Sequence, residues 1–339
     1  MPEHVNTSPA LIGVDWGSSN FRAFLMDRSG ALLQETTSPK GMLTLSQEEF
    51  ESFLLEQITP WLEGGKLPVL MTGMVGSAQG WIDAGYVDCP LLLSAMGKTL
   101  CPVANGQGLS MGIVPGVRGR SFSGFADVMR GEEVQILGAE LLQGSEVGDG
   151  EAIEGVRLLC LPGTHAKWAR VGLCSATSGE AEPAIMDFAT CMTGELFNVL
   201  CQHSILGRLI PVDGAGKAAS PFHPAAFDRG VGVAAEHPNL LHTLFSARSA
   251  VVAGVVADTF QLSADEVHSY LSGLLIGAEM HTVTAEIGRP THVTLVGGGN
   301  LTALYQRALE LRDIPSASID GNSAVRRGLV AIASNAGWL

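Results

Sequence analysis

The chain has 339 residues, 46% of them hydrophobic and 16% charged, with a mean hydropathy of +0.25; this excludes a disordered chain and suggests two domains. Twenty Lys and Arg against 34 Asp and Glu leave a net charge of −14, which disfavours a nucleic-acid backbone as partner yet allows a local cationic pocket for a small anion. No apolar run reaches the ~18 residues of a membrane span, residues 1–9 lack a signal-like apolar segment, and six Cys without a CxxC pair read as free thiols in a reducing cytoplasm.

In chain order, residues 11–35 read as a three-strand meander: Leu11–Asp15, Phe21–Asp27 and Ala31–Glu35, with turns at 16–20 and 28–30. A helix follows from Ser46, with Phe50, Phe53, Leu54 and Ile58 on one face, then a buried strand over Leu67–Thr72. Gly73–Pro90 is aperiodic and rich in glycine and aromatics, as a ligand-binding loop would be. Gly112–Pro115 reads as a strand, and a loop then leads through Asp127-Val128-Met129-Arg130-Gly131 to a helix over Glu132–Gln143. Gly144–Gly155 reads as an acidic surface loop. Val156–Leu161 and Ala166–Leu173 form a second hairpin around Pro162-Gly163-Thr164-His165. Helices are expected at 193–206, 223–235, 239–247, 263–286, 301–311 and 322–335, with a strand at Val293–Val296. The repeated order, hairpin then helices, suggests two α/β lobes gripping a ligand, with residues 1–111 as one and 112–339 as the other.

Three segments could carry chemistry. In Asp15-Trp16-Gly17-Ser18-Ser19-Asn20, a carboxylate ends a buried strand, a costly place unless it is paired or near a metal. The Gly and hydroxyls after it let backbone N–H groups approach phosphate, and a plain hairpin turn with an Asx-type bond is the competing reading. Gly163-Thr164, with Lys167 just beyond, repeats that composition in the second hairpin, again against a merely structural turn. Gly297-Gly298-Gly299 links a strand to a helix and permits close nucleotide contact. It is not GxGxxG, since Thr302 stands at the last Gly position, so a dinucleotide dehydrogenase is poorly supported. Gly97-Lys98-Thr99 is no Walker A tail, because position 92 is Leu. The nine His lack paired ligand spacing, which argues against a structural zinc.

Gly73-Met74-Val75-Gly76-Ser77-Ala78-Gln79-Gly80-Trp81, Asp127 through Gly138, Leu161 through Trp168 and Met192-Thr193-Gly194-Glu195-Leu196-Phe197 resemble the signatures of the 2-dehydro-3-deoxygalactonokinases, in the sugar-kinase branch of the actin/hexokinase/Hsp70-like ATPases. The resemblance spans residues 11–335, with Ala78 and Ala166 departing from the Arg and Ser common there. It implies a two-lobed, ribonuclease H-like α/β fold with an interlobe cleft, and ATP- and Mg²⁺-dependent phosphorylation of the 6-hydroxyl of 2-dehydro-3-deoxy-D-galactonate. Under it Asp15 would hold Mg²⁺ through water. Gly17, Ser18, Ser19, Asn20, Gly163, Thr164 and Lys167 would face phosphates, and Gly297–Gly299 would pass under the adenosine. Met74, Gly76, Ser77, Gln79, Trp81 and Glu195 would meet the sugar acid. Asp127 is the first choice for the base and Glu132 its rival, with helix-dipole stabilisation the simpler role for Glu132 and Glu133. Arg130 would bind a carboxylate or phosphate, against a structural salt bridge. Trp81 could equally be a core aromatic, Glu195 a helix cap and Lys167 a solvated strand residue, and Met192 and Phe197 are expected in the core.

The alternatives are a kinase for another 2-keto-3-deoxy acid or sugar, and a non-enzymatic sugar-sensing regulator on the same scaffold. The regulator would be expected to carry a DNA-binding helix pair before the first strand, where this chain offers about ten residues. A homodimer stays open.

Overall fold

The computed structural model describes residues 8–146, 155–175, 181–214, 220–257 and 259–339; residues 147–154 of the expected acidic loop lie outside these. In chain order the elements are β1 (Leu11–Trp16), β2 (Phe21–Met26), β3 (Leu32–Ser38), α1 (Glu49–Leu62), β4 (Val69–Thr72), β5 (Tyr86–Asp88), β6 (Leu91–Leu92), β7 (Cys101–Pro102), β8 (Met111–Ile113), β9 (Gly116–Arg120) and β10 (Ala126–Met129). They continue with α2 (Glu132–Glu146), β11 (Arg157–Leu161), β12 (Ala166–Ser175), β13 (Ala181–Cys191), α3 (Thr193–His203), α4 (Pro224–Glu236), α5 (Leu240–Thr243) and α6 (Ser246–Val252). Last come α7 (Val267–Ile287), β14 (Val293–Gly297), α8 (Gly299–Glu310), β15 (Ser316–Asp320) and α9 (Gly321–Asn335).

The chain divides into two compact units: residues 1–159 with 169–188 and 319–339, and residues 160–168 with 189–318. Residue 112, the boundary suggested by the sequence, falls inside the first. The sheets are ordered β3-β2-β1-β4-β8-β7, β10-β9-β5 and β15-β14-β11-β12-β13-β6.

In the first unit, β1 runs antiparallel to β2 and parallel to β4, which in turn runs parallel to β8. β1 is covered on both faces, so its residues are almost uniformly apolar. One face meets α1 through an aromatic cluster in which Trp16 lies 4.9 Å from Phe21 and 5.3 Å from Phe50. On the other face α9 presses Leu329 against Gly13. Helices α2 and α9 touch backbone to backbone: a Cβ on Gly138 would lie 1.8 Å from the Ala324 carbonyl oxygen, and one on Gly328 2.2 Å from that of Val134. Asp320 caps α9 by accepting from the Ser323 N–H at 2.8 Å.

The second unit is built on α7, apolar nearly all round and therefore buried, with Tyr270, Leu271, Leu274 and Leu275 in its core cluster. It packs on α4 by the same small-residue device, since a Cβ on Gly273 would stand 2.0 Å from the Phe227 carbonyl oxygen.

The expected meander, the strand at 67–72, the second hairpin and the long helices are all present. The helix expected over 239–247 divides into α5 and α6. The segment read as a loop before Asp127 is a β9–β10 hairpin that pairs with β5. Its exposed Arg118, Arg120 and Val128 break the inside–outside alternation by which strands are read. Among the described residues no helix is long and apolar enough to cross a membrane, and all six Cys are free thiols.

Candidate active site

The first hairpin turn is closed by a hydrogen bond from the Gly17 N–H to the Asn20 carbonyl at 2.9 Å. Residues 41–43 buttress it: Met42 N–H donates to the Gly17 carbonyl and Leu43 N–H to that of Ser18. A Cβ on Gly41 would sit 2.3 Å from the Ser18 carbonyl oxygen, so only glycine lets this support approach. Ser19 and Asn20 stay exposed at the tip. Strand register sets Asp15 opposite Arg22, whose Nη2 donates to Asp15 Oδ2 at 2.5 Å and whose Nη1 donates to Asn322. The buried-strand carboxylate is thereby compensated. Asp15, Gly17, Asn20, Arg22, Thr37 and Ser38 line a cavity of about 550 Å³.

Asp15 also borders the loop after β4. Gly73, at φ +94°, lies so close that a Cβ there would be 2.8 Å from the Trp16 carbonyl oxygen and 3.4 Å from Asp15 Oδ1. Gly131, at φ +103°, approaches from the other side; its Cβ would lie 3.3 Å from Gly73 Cα. The start of α2 is thus brought against Gly73. Glu132 Oε2 accepts from the Arg130 N–H at 3.0 Å, and both Glu133 oxygens accept from the Gly131 N–H at 2.9 and 2.7 Å. Glu133 is fully buried, and burial, aided by the charge of Glu132, pushes its pKa up to about 8.

Arg130 is 9% exposed. Its Nη2 donates to the Gly85 carbonyl at 2.9 Å, and its guanidinium lies 4.5 Å from the Tyr86 ring centroid. Its Nε and Nη1 are buried with no hydrogen-bond partner, and Gly76 leaves room for Nη1, which a Cβ would approach to 3.1 Å. Ser77 Oγ and Thr72 Oγ1 are likewise buried and unpartnered. Unsatisfied buried polar atoms are rare; four of the ten found among the described residues lie at the end of β4, on the loop after it and on Arg130, and the others are scattered.

In the second unit, the 162–165 turn docks on the N-terminus of α3. Glu195 N–H donates to the Thr164 carbonyl at 2.9 Å, His165 Nε2 pairs with Glu195 Oε2, and a Cβ on Gly194 would lie 2.5 Å from the Gly163 carbonyl oxygen. Lys167 is buried, and its Nζ donates to the His165 carbonyl at 3.1 Å. Beside the turn is an almost wholly apolar cavity of about 150 Å³, bounded by Gly163, Phe197, Phe222, Ile276, Leu301 and Leu304. Gly297–Gly299 lead from β14 into α8, which carries Leu301 and Leu304; Gly299, at φ +66°, has open space where a Cβ would stand. An apolar slot of this size beside a glycine turn and a helix N-terminus can take an aromatic base and an anionic tail.

The structure therefore brings Asp15, Gly73, Arg130, Glu132 and Glu133 into one neighbourhood of the first unit. Asp127 stands apart on β10, four residues before Gly131, or roughly 13 Å along an extended chain. It is half-buried, with Oδ1 accepting from its own Val128 N–H at 2.7 Å. Of the residues expected to meet the sugar acid, Gly76 and Ser77 are buried beside Arg130, Met74 is half-buried and Gln79 is exposed. Trp81 stacks on Phe50 at 6.0 Å as part of the core margin. Glu195 belongs to the second unit, tied to His165. Met192, expected in the core, is 57% exposed, whereas Phe197, on α3, packs against the core cluster of the second unit and also lines the apolar cavity. Among the described residues no group of three or more His, Cys, Asp or Glu could hold a metal. The sequence gives no local signal for Arg22, which the hairpin register pairs with Asp15, and Glu133, expected only to stabilise the helix dipole, is fully buried, which only the fold reveals.

The profile of the 2-keto-3-deoxy-galactonokinase family matches residues 15–332. The 2-dehydro-3-deoxygalactonokinase of Escherichia coli (strain K12) is 34% identical over 322 residues, 95% of this chain and 97% of that protein. A crystal structure of a Sinorhizobium meliloti protein, given the same enzyme name provisionally, has a TM-score of 0.79 at 33% identity and covers 95% of this chain and 98% of that one. Xylulose kinase of Lactobacillus acidophilus, at 10% identity and a TM-score of 0.50 over 96% of this chain and 89% of that one, shares the fold alone. The mixed α/β architecture is that of the actin-like sugar kinases. With a family profile and a close relative each spanning nearly its whole length, the chain belongs to the 2-keto-3-deoxy-galactonokinase family.

Proposed function

We propose that this chain transfers the γ-phosphoryl group of ATP to the 6-hydroxyl of 2-dehydro-3-deoxy-D-galactonate, giving 2-dehydro-3-deoxy-6-phospho-D-galactonate and ADP in D-galactonate breakdown. The observation that carries the reading beyond family membership is Arg130. A buried guanidinium whose Nε and Nη1 are unpartnered has charge-assisted donors for an anionic group of the sugar acid. A neutral sugar would offer that cation no charged partner beyond the neighbouring Glu133. Ser77 Oγ and Thr72 Oγ1 supply further donors for the keto and hydroxyl groups.

Glu132 is assigned as the base in preference to Asp127. It opens α2 beside Gly73, which itself borders Asp15, whereas Asp127 lies farther back on β10. The Glu132 carboxylate would orient the attacking hydroxyl and take its proton as the bond to phosphorus forms and the bond to the departing ADP oxygen breaks. The donor set suits Mg²⁺, which keeps several waters and asks for only one or two carboxylates. Asp15, with Oδ2 held by Arg22 and Oδ1 towards Gly73, would hold the ion through water. Mg²⁺, when bound, neutralises charge on the phosphates. Backbone and hydroxyl groups of Gly17–Asn20 in one unit, and Gly163, Thr164 and Lys167 in the other, are assigned to the phosphates. The slot between Phe197 and Leu304, above Gly297–Gly299, is assigned to adenine. The six free thiols suit a cytoplasmic enzyme.

The test is an ADP-release assay across 2-keto-3-deoxy acids, aldonic acids and neutral sugars. The galacto-configured 2-keto-3-deoxy acid should have the highest kcat/KM and neutral sugars should be poor. A neutral sugar turned over as efficiently as the acid would reject the reading of Arg130.

A further inference from the structure

One buried carboxylate belongs to none of the roles above. Glu279 lies in the middle of α7, 5% exposed, in the apolar run Leu274-Leu275-Ile276-Gly277-Ala278-Glu279-Met280. Its Oε1 accepts from Trp168 Nε1 at 2.6 Å, and its Oε2 accepts from the hydroxyls of Tyr305, at 2.8 Å, and Thr193. Trp168 adjoins Lys167 on β12, the strand leaving the Gly163-Thr164 turn. Thr193 opens α3, on which that turn is docked, and Tyr305 lies on α8, the helix entered through Gly297–Gly299. Thr193 and Tyr305 also line the apolar slot. Three elements that approach the slot from different parts of the chain are therefore tied to one carboxylate beneath it.

A buried carboxylate is expensive to keep, and apolar residues of like volume would stabilise a helix at least as well. The arrangement meets the cost only because all three partners donate, matching an ionised group that can only accept. Burial still pushes the Glu279 pKa upward, and the three hydrogen bonds oppose that rise. A carboxylate has fixed directions for its acceptors, so it sets the mutual spacing of the indole, the threonine hydroxyl and the phenol in a way an apolar contact cannot.

We propose that Glu279 is a positioning residue for the nucleotide, holding the phosphate turn, the start of α3 and α8 at the separation that an adenine and its phosphates require. The proposal rests on the assignment of the slot to adenine, so its test separates the two. Nucleotide affinity is measured directly, by calorimetric titration with ADP without sugar acid, alongside ATP and sugar-acid KM values, kcat and Tm. Phe197→Ala and Leu304→Ala, which truncate the slot itself, test the adenine assignment. Tyr305→Phe, Thr193→Val and Glu279→Gln each remove part of the carboxylate network and keep side-chain volume. The network variants should weaken ADP binding and raise the KM for ATP by about tenfold, the scale of one charge-assisted hydrogen bond, with the KM for the sugar acid unchanged. Trp168→Phe, which removes the one donor that does not line the slot, should show this even if Glu279→Gln folds poorly. Unchanged ADP affinity in the slot variants would overturn the adenine assignment. Weakened binding in those, with network variants that lose only Tm and keep full ADP affinity, would overturn the proposal and leave Glu279 a structural group.

Discussion

Replacing Arg130 with methionine separates a binding arginine from a structural one, because the two roles predict opposite pairs of effects. The side chain now makes one hydrogen bond, to the Gly85 carbonyl, and one face contact with Tyr86. Losing them costs about 1.5–3 kcal/mol and about 0.5–2 kcal/mol respectively. Against this, Nε and Nη1 are buried without partners; removing two such donors recovers about 1–3 kcal/mol each. At mid-range the terms cancel to within about 1 kcal/mol, and methionine keeps the packing volume of the arginine stem. The Tm should therefore change by no more than a few degrees, at about 2–4 °C per kcal/mol for a domain of this size. The carboxylate of the substrate, by contrast, loses a charged hydrogen-bonding partner, and kcat/KM for the acid should fall by about 10²–10³-fold, some 3–4 kcal/mol. Poor activity on neutral sugars should stay where it is. Thermal denaturation and steady-state kinetics on the same preparation decide the matter. A Tm lowered by ten degrees or more with an unchanged KM for the acid would refute the argument and make Arg130 a structural residue.

Glu132→Gln should lower kcat by about 10²-fold or more with little change in ATP affinity, while Asp127→Asn keeps most of its turnover; the reverse result would return the base to β10. Asp15→Asn should raise the Mg²⁺ concentration needed for half-maximal activity and lower kcat, read by titrating the metal at fixed ATP, and an unchanged Mg²⁺ dependence would remove Asp15 from that role. Glu133 gives a pH effect of definite sign. Its folded pKa, about 8, lies above the ordinary carboxylate value of 4.5, so the folded state binds the extra proton and stability is lost as pH rises through that window. The slope is at most roughly 1.4 kcal/mol per pH unit. Tm should fall between pH 5 and 8, and Glu133→Gln should flatten the fall; an unaltered slope in that variant would show that other groups cause it.

Elements whose apolar spacing is regular were legible from the sequence: the meander, α1, α2 and α7 all bury one face or more, and burial writes the pattern. The sheet of β5, β9 and β10 was not, because Gly119, Arg118 and Val128 carry no alternation, and β13 was hidden by Glu182, Pro183 and Asp187. The glycine-bearing turns of the site could be read locally, since close backbone approach demands glycine wherever it occurs. What could not be read is pairing at a distance. The apolar slot joins Phe197 to Leu304, and Arg130, just after β10, meets the loop at Gly76. Glu279 did leave a trace, a carboxylate in the middle of the apolar run Leu274–Met280, which is a signal of a buried polar network whenever the run is covered on all sides.

The most direct test of the central claim is the position of the phosphate. The product formed from ATP and 2-dehydro-3-deoxy-D-galactonate should show, by proton–phosphorus correlation in solution NMR, one phosphorus coupled to the two protons of C6. A phosphorus coupled to a single proton of a ring or chain carbon, or no phosphorylated product from the acid at enzyme concentrations that phosphorylate a neutral sugar, would contradict the account.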